Sequence, residues 1–266
     1  VSAKKSLGQH FLHDPRILGR IADAVGIQAG DRVLEVGPGR GALTAELLAR
    51  GAQVTAIEKD ADLIPDLRAR FSTLRLAQGD ALTEDWRELS GAGQGRLLVV
   101  GNIPYNITSP LIDRALLPPR PVRIVFLVQR EVADRLAARP GTREYGALTV
   151  GVQSVATVER VMTVPAGAFQ PAPKVDSALV RLTPVETPLV RDESISGHRR
   201  MVTALFAARR KQLGRAVRQL TGWGPERVVA MLEGMGLTPT DRAEVLTPSQ
   251  FAALHARVVD EGWPSG

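Results

Sequence analysis

Four consecutive residues, Asn102-Ile103-Pro104-Tyr105, set a side-chain amide, a proline and an aromatic ring directly after Val99-Val100-Gly101. Those residue types suit an exocyclic amine on an aromatic base. The lone pair of an amine such as adenine N6 is delocalised into its ring. It attacks poorly until hydrogen-bond acceptors take its protons and draw it toward tetrahedral geometry. The Asn102 side-chain oxygen and a neighbouring backbone carbonyl, that of Ile103 by position, offer two such acceptors. Tyr105 offers a face on which the base can stack, a contact worth roughly 1–3 kcal/mol. The bland alternative is a turn that ends a buried strand. The chain has two asparagines, Asn102 and Asn106, and both fall in this one stretch.

Three polar groups upstream sit where strands should end. Val33-Leu34-Glu35-Val36 runs into Gly37-Pro38-Gly39-Arg40-Gly41, a strand feeding a glycine-rich turn and then a helix, where backbone can approach a ligand closely. The glycines alternate and position 42 is alanine, so the dinucleotide pattern is not met and a nicotinamide dehydrogenase is disfavoured. Glu58 follows the next strand about 20 residues on, placed to accept hydrogen bonds from ribose hydroxyls. Asp80, in Gly79-Asp80-Ala81, follows the third and suits an adenine amino group. Either carboxylate alone can equally cap a helix. Together with the glycine turn they describe a nucleoside pocket along the carboxyl edge of a sheet.

The elements needed to position these groups are legible as period and length. Asp14-Pro15 reads as an N-cap with proline at N1, and Ile17, Leu18, Ile21 and Val25 keep helical spacing. Short apolar runs at 32–36, 54–57, 74–77, 97–100 and 124–128 predict strands, with helices at 42–49, 61–70 and 110–117 between them. That alternation predicts an α/β fold with a parallel sheet covered on both faces. Segments 157–163 and 177–182 predict a closing strand pair joined by a proline-containing loop. After Pro184 the strand pattern stops, and apolar residues at helical spacing run from Val202 to Val258. The predicted division is a sheet domain over 1–185 and a small all-helical C-terminal domain over 186–266.

Composition bounds the partners. The 266 residues contain no cysteine and four histidines, so disulfides and thiolate chemistry are excluded and no metal is expected. No apolar run reaches membrane-spanning length, and positions 1–12 lack the apolar stretch of a signal peptide, so the expected location is cytoplasmic, with no membrane partner. Net charge is +6. Between Arg199 and Arg218 there are seven basic residues and no acidic one, among them Arg209, Arg210, Lys211, Arg215 and Arg218. Such a block suits phosphates, or is a solvated helix face.

The ordered set Gly8-Gln9-His10-Phe11-Leu12, Glu35 to Gly39, Glu58, Asp80, Asn102 to Asn106, Phe169 to Ser177, and Phe206 to Leu213 with Arg209-Arg210-Lys211 resembles the ribosomal RNA adenine N6,N6-dimethyltransferases of the KsgA type over nearly the whole length. The resemblance implies a Rossmann-like class I methyltransferase with a seven-stranded, mostly parallel sheet plus a helical C-terminal domain. It implies S-adenosylmethionine as cofactor and S-adenosylhomocysteine as product. Cofactor contacts are implied at His10, Leu12, Gly37, Glu58, Asp80 and Asn102, with Gly39 in the same turn. It further implies two adjacent adenosines in the 3′-terminal hairpin loop of small-subunit ribosomal RNA as target, each dimethylated, in a pre-assembled small subunit. One departure is His10, where the family commonly has asparagine; a backbone-only contact there is the alternative.

The chemistry so implied is direct in-line transfer without metal or covalent enzyme intermediate, with alignment supplying on the order of 7–11 kcal/mol. No general base stands out. Asn102 and Pro104 position the amine, and Tyr105 and Phe169 are expected to sandwich the base, unless Phe169 is a core residue. A monomer with a role in ribosome biogenesis is expected. Two other readings share parts of this pattern. A DNA adenine N6-methyltransferase needs the same Asn-x-Pro-Tyr chemistry, but the C-terminal helices show no sequence-reading module. A non-catalytic assembly or transcription factor shares the fold, but Glu58, Asp80, Asn102 and Tyr105 would then have no reason to be intact together.

Overall fold

Asp14 starts the first long helix by accepting the Arg16 amide at 2.9 Å, with Pro15 in the first turn and Gly26 closing it in the left-handed region. The computed structural model describes residues 4, 7–93 and 95–264. In chain order, β1 (Phe11–Leu12), α1 (Pro15–Val25), β2 (Arg32–Val36), α2 (Ala42–Ala49), β3 (Gln53–Glu58), α3 (Ile64–Arg70) and β4 (Arg75–Gln78) come first. Next are α4 (Trp86–Ser90), β5 (Leu97–Asn102), α5 (Thr108–Ala115), β6 (Arg123–Gln129), α6 (Arg130–Leu136), α7 (Ala147–Gln153), β7 (Ala156–Val164), β8 (Phe169–Gln170) and β9 (Ser177–Pro184). The remainder is helical: α8 (Ile195–Ala207), α9 (Leu213–Thr221), α10 (Pro225–Gly234) and α11 (Pro248–Asp260).

Seven strands form one sheet in the order β4-β3-β2-β5-β6-β9-β7, parallel from β4 to β6 and antiparallel where β9 joins β6. Central strands are apolar on both faces, and β2 and β5 are buried almost throughout, because helices cover the sheet on each side. On one face α1 packs Leu18, Ile21 and Val25 with Val33, Val54, Leu98, Val100 and Val125. Each such side chain removed from water contributes about 1.5–3 kcal/mol.

The chain divides into two compact units. One comprises the described residues up to Ala133 together with Val158–Pro184, and the other Asp134–Thr157 with the described residues from Val185 onward. This corrects the predicted 1–185 and 186–266 division. Ala138, Tyr145 and Val150 share a core with Met201, Leu205, Phe251 and Leu254, so the segment around α7 belongs with the helices by packing. The Tyr145 hydroxyl donates to the Leu246 carbonyl at 2.7 Å, and the Val185 and Leu189 amides donate to Val155 and Ser154. A second correction concerns the proline-containing loop before β9. It carries β8, which pairs antiparallel with β1, Phe11 facing Gln170 and Leu12 facing Phe169.

Candidate active site

The strand order reverses between β2 and β5: β3 and β4 extend one way from β2, and β6 lies on the far side of β5. Carboxyl ends of parallel strands splay apart at such a point and leave a crevice. One cavity opens there. It is lined by Gly8 to Leu12, by Glu35 to Arg40 at the end of β2 and in the turn that follows, by Glu58 at the end of β3, by Gly79 to Ala81 after β4, and by Gly101 to Ile107 at the end of β5. His10, Leu12, Gly37, Gly39, Glu58, Asp80, Asn102, Pro104 and Tyr105 are thus brought together from separate segments of the chain.

The turn after β2 has Gly37, Gly39 and Gly41 at φ of +68°, +57° and +76°, conformations that L side chains rarely adopt. At Gly39 a Cβ would also lie 3.0 Å from the Phe11 ring. At Gly101 a Cβ would lie 2.5 Å from the Val36 carbonyl, so the absence of a side chain lets the end of β5 close against β2. A bare backbone cradle results where any larger residue would fill the space.

Glu58 holds this cradle in place. The Gly39 amide donates to one carboxylate oxygen at 3.0 Å and the Asp60 amide to the other at 2.8 Å, while the side chain is buried. Burial pushes its pKa up, and the two backbone donors oppose that push. Asp80 accepts the Lys59 ammonium at 2.8 Å and the Leu82 amide at 2.9 Å, which holds its carboxyl below the usual range. Capping and ligand roles are compatible, since each carboxylate oxygen keeps a second lone pair.

Asn102 ends β5. Its Nδ2 donates to the His10 carbonyl at 2.7 Å, which turns Oδ1 the other way and leaves it without a partner among the described residues. Oδ1 is therefore an acceptor in waiting at the cavity wall. The neighbouring Ile103 amide is spoken for by the Leu127 carbonyl at 3.1 Å, which fixes the turn to the edge of β6. The Tyr105 hydroxyl meets Ser177 Oγ at 2.9 Å, and burial pushes its pKa up. The His10 ring stacks on Tyr105, and its Nδ1–H donates to the Pro171 carbonyl at 2.7 Å.

Two features of this site were not drawn from the residue pattern. Glu35 lines the cavity 1% exposed, accepts the Thr44 hydroxyl at 2.6 Å, and has its pKa raised to about 7, first by burial and further by the nearby Glu58. Asp60 collects Lys4 Nζ at 2.5 Å and Gln9 Nε2 at 2.8 Å, pinning those two residues at the β3 end. Burial pushes Asp60 up, but these donors and the Asp62 amide outweigh it and hold the carboxyl below its ordinary range. The available signal for Glu35 was an acidic residue set between the apolar Leu34 and Val36.

Phe169 is placed differently from the expected sandwich. It lies in β8, 4% exposed, in the core cluster with Leu12, Ile21 and Val164, and it is not part of the cavity wall. Pairing of β8 with β1 commits that ring to the interior, which is the core alternative. In the helical unit Arg209, Arg210, Lys211, Arg215 and Arg218 are all exposed. Arg209 pairs with Glu244 at 3.1 Å and Lys211 donates to Gln219 at 2.7 Å. Leu213, Ala216 and Val217 are buried while Arg215 and Arg218 stand on the outer face of α9.

A mostly parallel sheet in this order, a switch-point cavity with carboxylates at the ends of β3 and β4, and Asn-Ile-Pro-Tyr closing β5 define a class I methyltransferase. The model of the family described as "Ribosomal RNA adenine dimethylase" matches residues 1–258. The chain belongs to that family. It is 45% identical over 262 residues to Ribosomal RNA small subunit methyltransferase A of Thermosynechococcus vestitus, covering 96% of each chain. It is 44% identical over 259 residues to the protein of that name from Pseudomonas aeruginosa, covering 95% of this chain and 93% of the relative. Among solved structures, a dimethyladenosine transferase from Plasmodium falciparum superposes with a TM-score of 0.83 at 27% identity, over 97% of this chain and 100% of that one. The 23S rRNA methyltransferase ErmE superposes at 0.71 and 30% identity, over 94% and 99%.

Proposed function

We propose that this chain dimethylates N6 of two adjacent adenosines in the 3′-terminal hairpin loop of small-subunit ribosomal RNA, using S-adenosylmethionine. On this reading it works as a cytoplasmic monomer on a pre-assembled small subunit, during subunit biogenesis and without a metal. Family membership and the small-subunit methyltransferase relatives support the substrate. The single observation that carries the chemistry is Asn102, whose amide nitrogen is committed to His10 and whose oxygen is left open at the cavity wall.

The cavity suits the cofactor: Glu58 for the ribose, Asp80 for the adenine amine, and the Gly37–Gly39 turn with His10 and Leu12 for close backbone approach. When bound, S-adenosylmethionine supplies a methyl group on a sulfonium, with a neutral thioether as leaving group. Asn102 Oδ1 accepts a hydrogen bond from one N6–H and a backbone carbonyl of the same turn from the other, which localises the lone pair toward the methyl. Pro104 fixes the turn, and Tyr105 holds the base by stacking. The ammonium formed on N6 is strongly acidic and releases its proton to water after transfer. A loop adenine suits this site because extruding a base from a helix costs a few kcal/mol. The exposed basic residues Arg209, Arg210, Lys211, Arg215 and Arg218 are proposed to bind RNA phosphates.

Asn102→Ala at saturating cofactor and RNA should lower the single-turnover rate by about 100-fold or more, the scale of losing one hydrogen bond to developing charge. An unchanged rate would remove Asn102 from the chemistry.

A further inference from the structure

His10 touches both functional residues of the Asn102–Tyr105 turn. Its backbone carbonyl takes the Asn102 amide at 2.7 Å. Its imidazole lies on the Tyr105 ring, with centroids 5.7 Å apart and planes 27° from parallel. Its Nδ1 stands 2.7 Å from the Pro171 carbonyl, an atom that only accepts, so Nδ1 carries the proton and the ring plane is fixed. The Tyr105 phenol is therefore held at its tip by Ser177 Oγ, 2.9 Å away, and across one face by His10.

A base inserted between two rings needs their planes about 7 Å apart, twice a van der Waals contact of roughly 3.5 Å. The His10–Tyr105 spacing is too small for that. A base meeting Tyr105 stacks on the face away from His10. We propose that the His10 imidazole is a positioning residue on the base side of the site: it braces Tyr105 from behind, so that the opposite face receives the target base in reach of Asn102 Oδ1. The proposal rests on the reading that Tyr105 stacks on the adenine. Bracing a ring before the base arrives removes an ordering cost from binding. An asparagine at position 10 keeps a donor for Pro171 but has no ring to set against Tyr105, which makes the histidine a substrate-side feature of this chain.

The test is a double-mutant cycle on the full chain. Affinity is measured for the two-adenosine hairpin carried in unmethylated small ribosomal subunits, and separately for S-adenosylhomocysteine. His10→Asn should weaken hairpin binding about fivefold while product-cofactor affinity moves less than twofold. His10→Phe, which keeps a ring but no donor, should restore most of the loss. In a Tyr105→Ala background His10→Asn should add nothing. Three results overturn the proposal: loss of cofactor affinity with hairpin affinity intact, equal loss in His10→Phe and His10→Asn, or an undiminished His10→Asn effect in Tyr105→Ala. If Tyr105→Ala alone leaves hairpin affinity unchanged, the base-stacking reading fails first and takes the proposal with it, and that outcome is recognised because His10 is not substituted.

Discussion

Asn102 illustrates how a side chain with two different ends is aimed. Its nitrogen can only donate and its oxygen can only accept, so one fixed partner, the His10 carbonyl, determines what the other end offers. Its place was legible in the residues, because a polar amide directly after an apolar run has few bland explanations. Glu58 and Asp80 were legible only as a set with the glycine turn, each standing at a strand end where a helix cap is an equal alternative. Glu35 was not, since its isolation depends on helices covering both faces of β2, which no local window contains. Its folded pKa of about 7 lies above the ordinary value of 4.5, so the native state holds that proton more tightly than the unfolded chain. The stabilisation is complete below about pH 4.5 and is lost as pH rises through about 7. Glu35→Gln should flatten this part of the profile when urea unfolding is followed from about pH 4.5 to about pH 8, and an identical slope in both proteins would contradict the assignment.

At the scale of elements, the strands from β2 to β6 and the helices α1 and α2 declare themselves by length and period. The pairing of β1 with β8 does not, because two-residue strands carry no periodicity and their partners lie far apart in the chain. That hidden pairing decided Phe169, which reads as a stacking aromatic in the residue order and is a core residue once β8 is formed. α9 shows the opposite case. Leu213, Ala216 and Val217 on one side and Arg215 and Arg218 on the other predict a helix with a basic outer face, and burial divides along that line. Reversing charge at Arg210 and Lys211, in the exposed turn that precedes α9, should weaken RNA binding. It should also flatten the dependence of log affinity on log salt by about 0.7–0.9 for each phosphate no longer neutralised. Titrations with the same slope as the unsubstituted protein would place the RNA surface elsewhere.

On the scale of the whole molecule, two separate cores divide the work. A sheet core built from Val33, Val54, Leu98 and Val125 sets the strand ends that carry the site. A helical core around Met201, Leu205, Val217 and Phe251 carries the basic surface. The helical core also takes in Tyr145 and Val150, a partnership across many residues of chain that a boundary between 185 and 186 missed. The order of function-bearing segments along the chain was legible, and the division of packing between the cores was not, because it depends on residues distant in sequence. Family membership and the open Asn102 oxygen meet in one claim, methyl transfer to adenine N6 of small-subunit ribosomal RNA. The direct measurement supplies labelled S-adenosylmethionine with unmethylated small ribosomal subunits, naked ribosomal RNA or DNA, and maps the labelled base. Two adjacent N6,N6-dimethyladenosines are expected in the 3′-terminal hairpin loop of the subunit RNA; label on DNA alone, or on an RNA atom other than adenine N6, would overturn that claim.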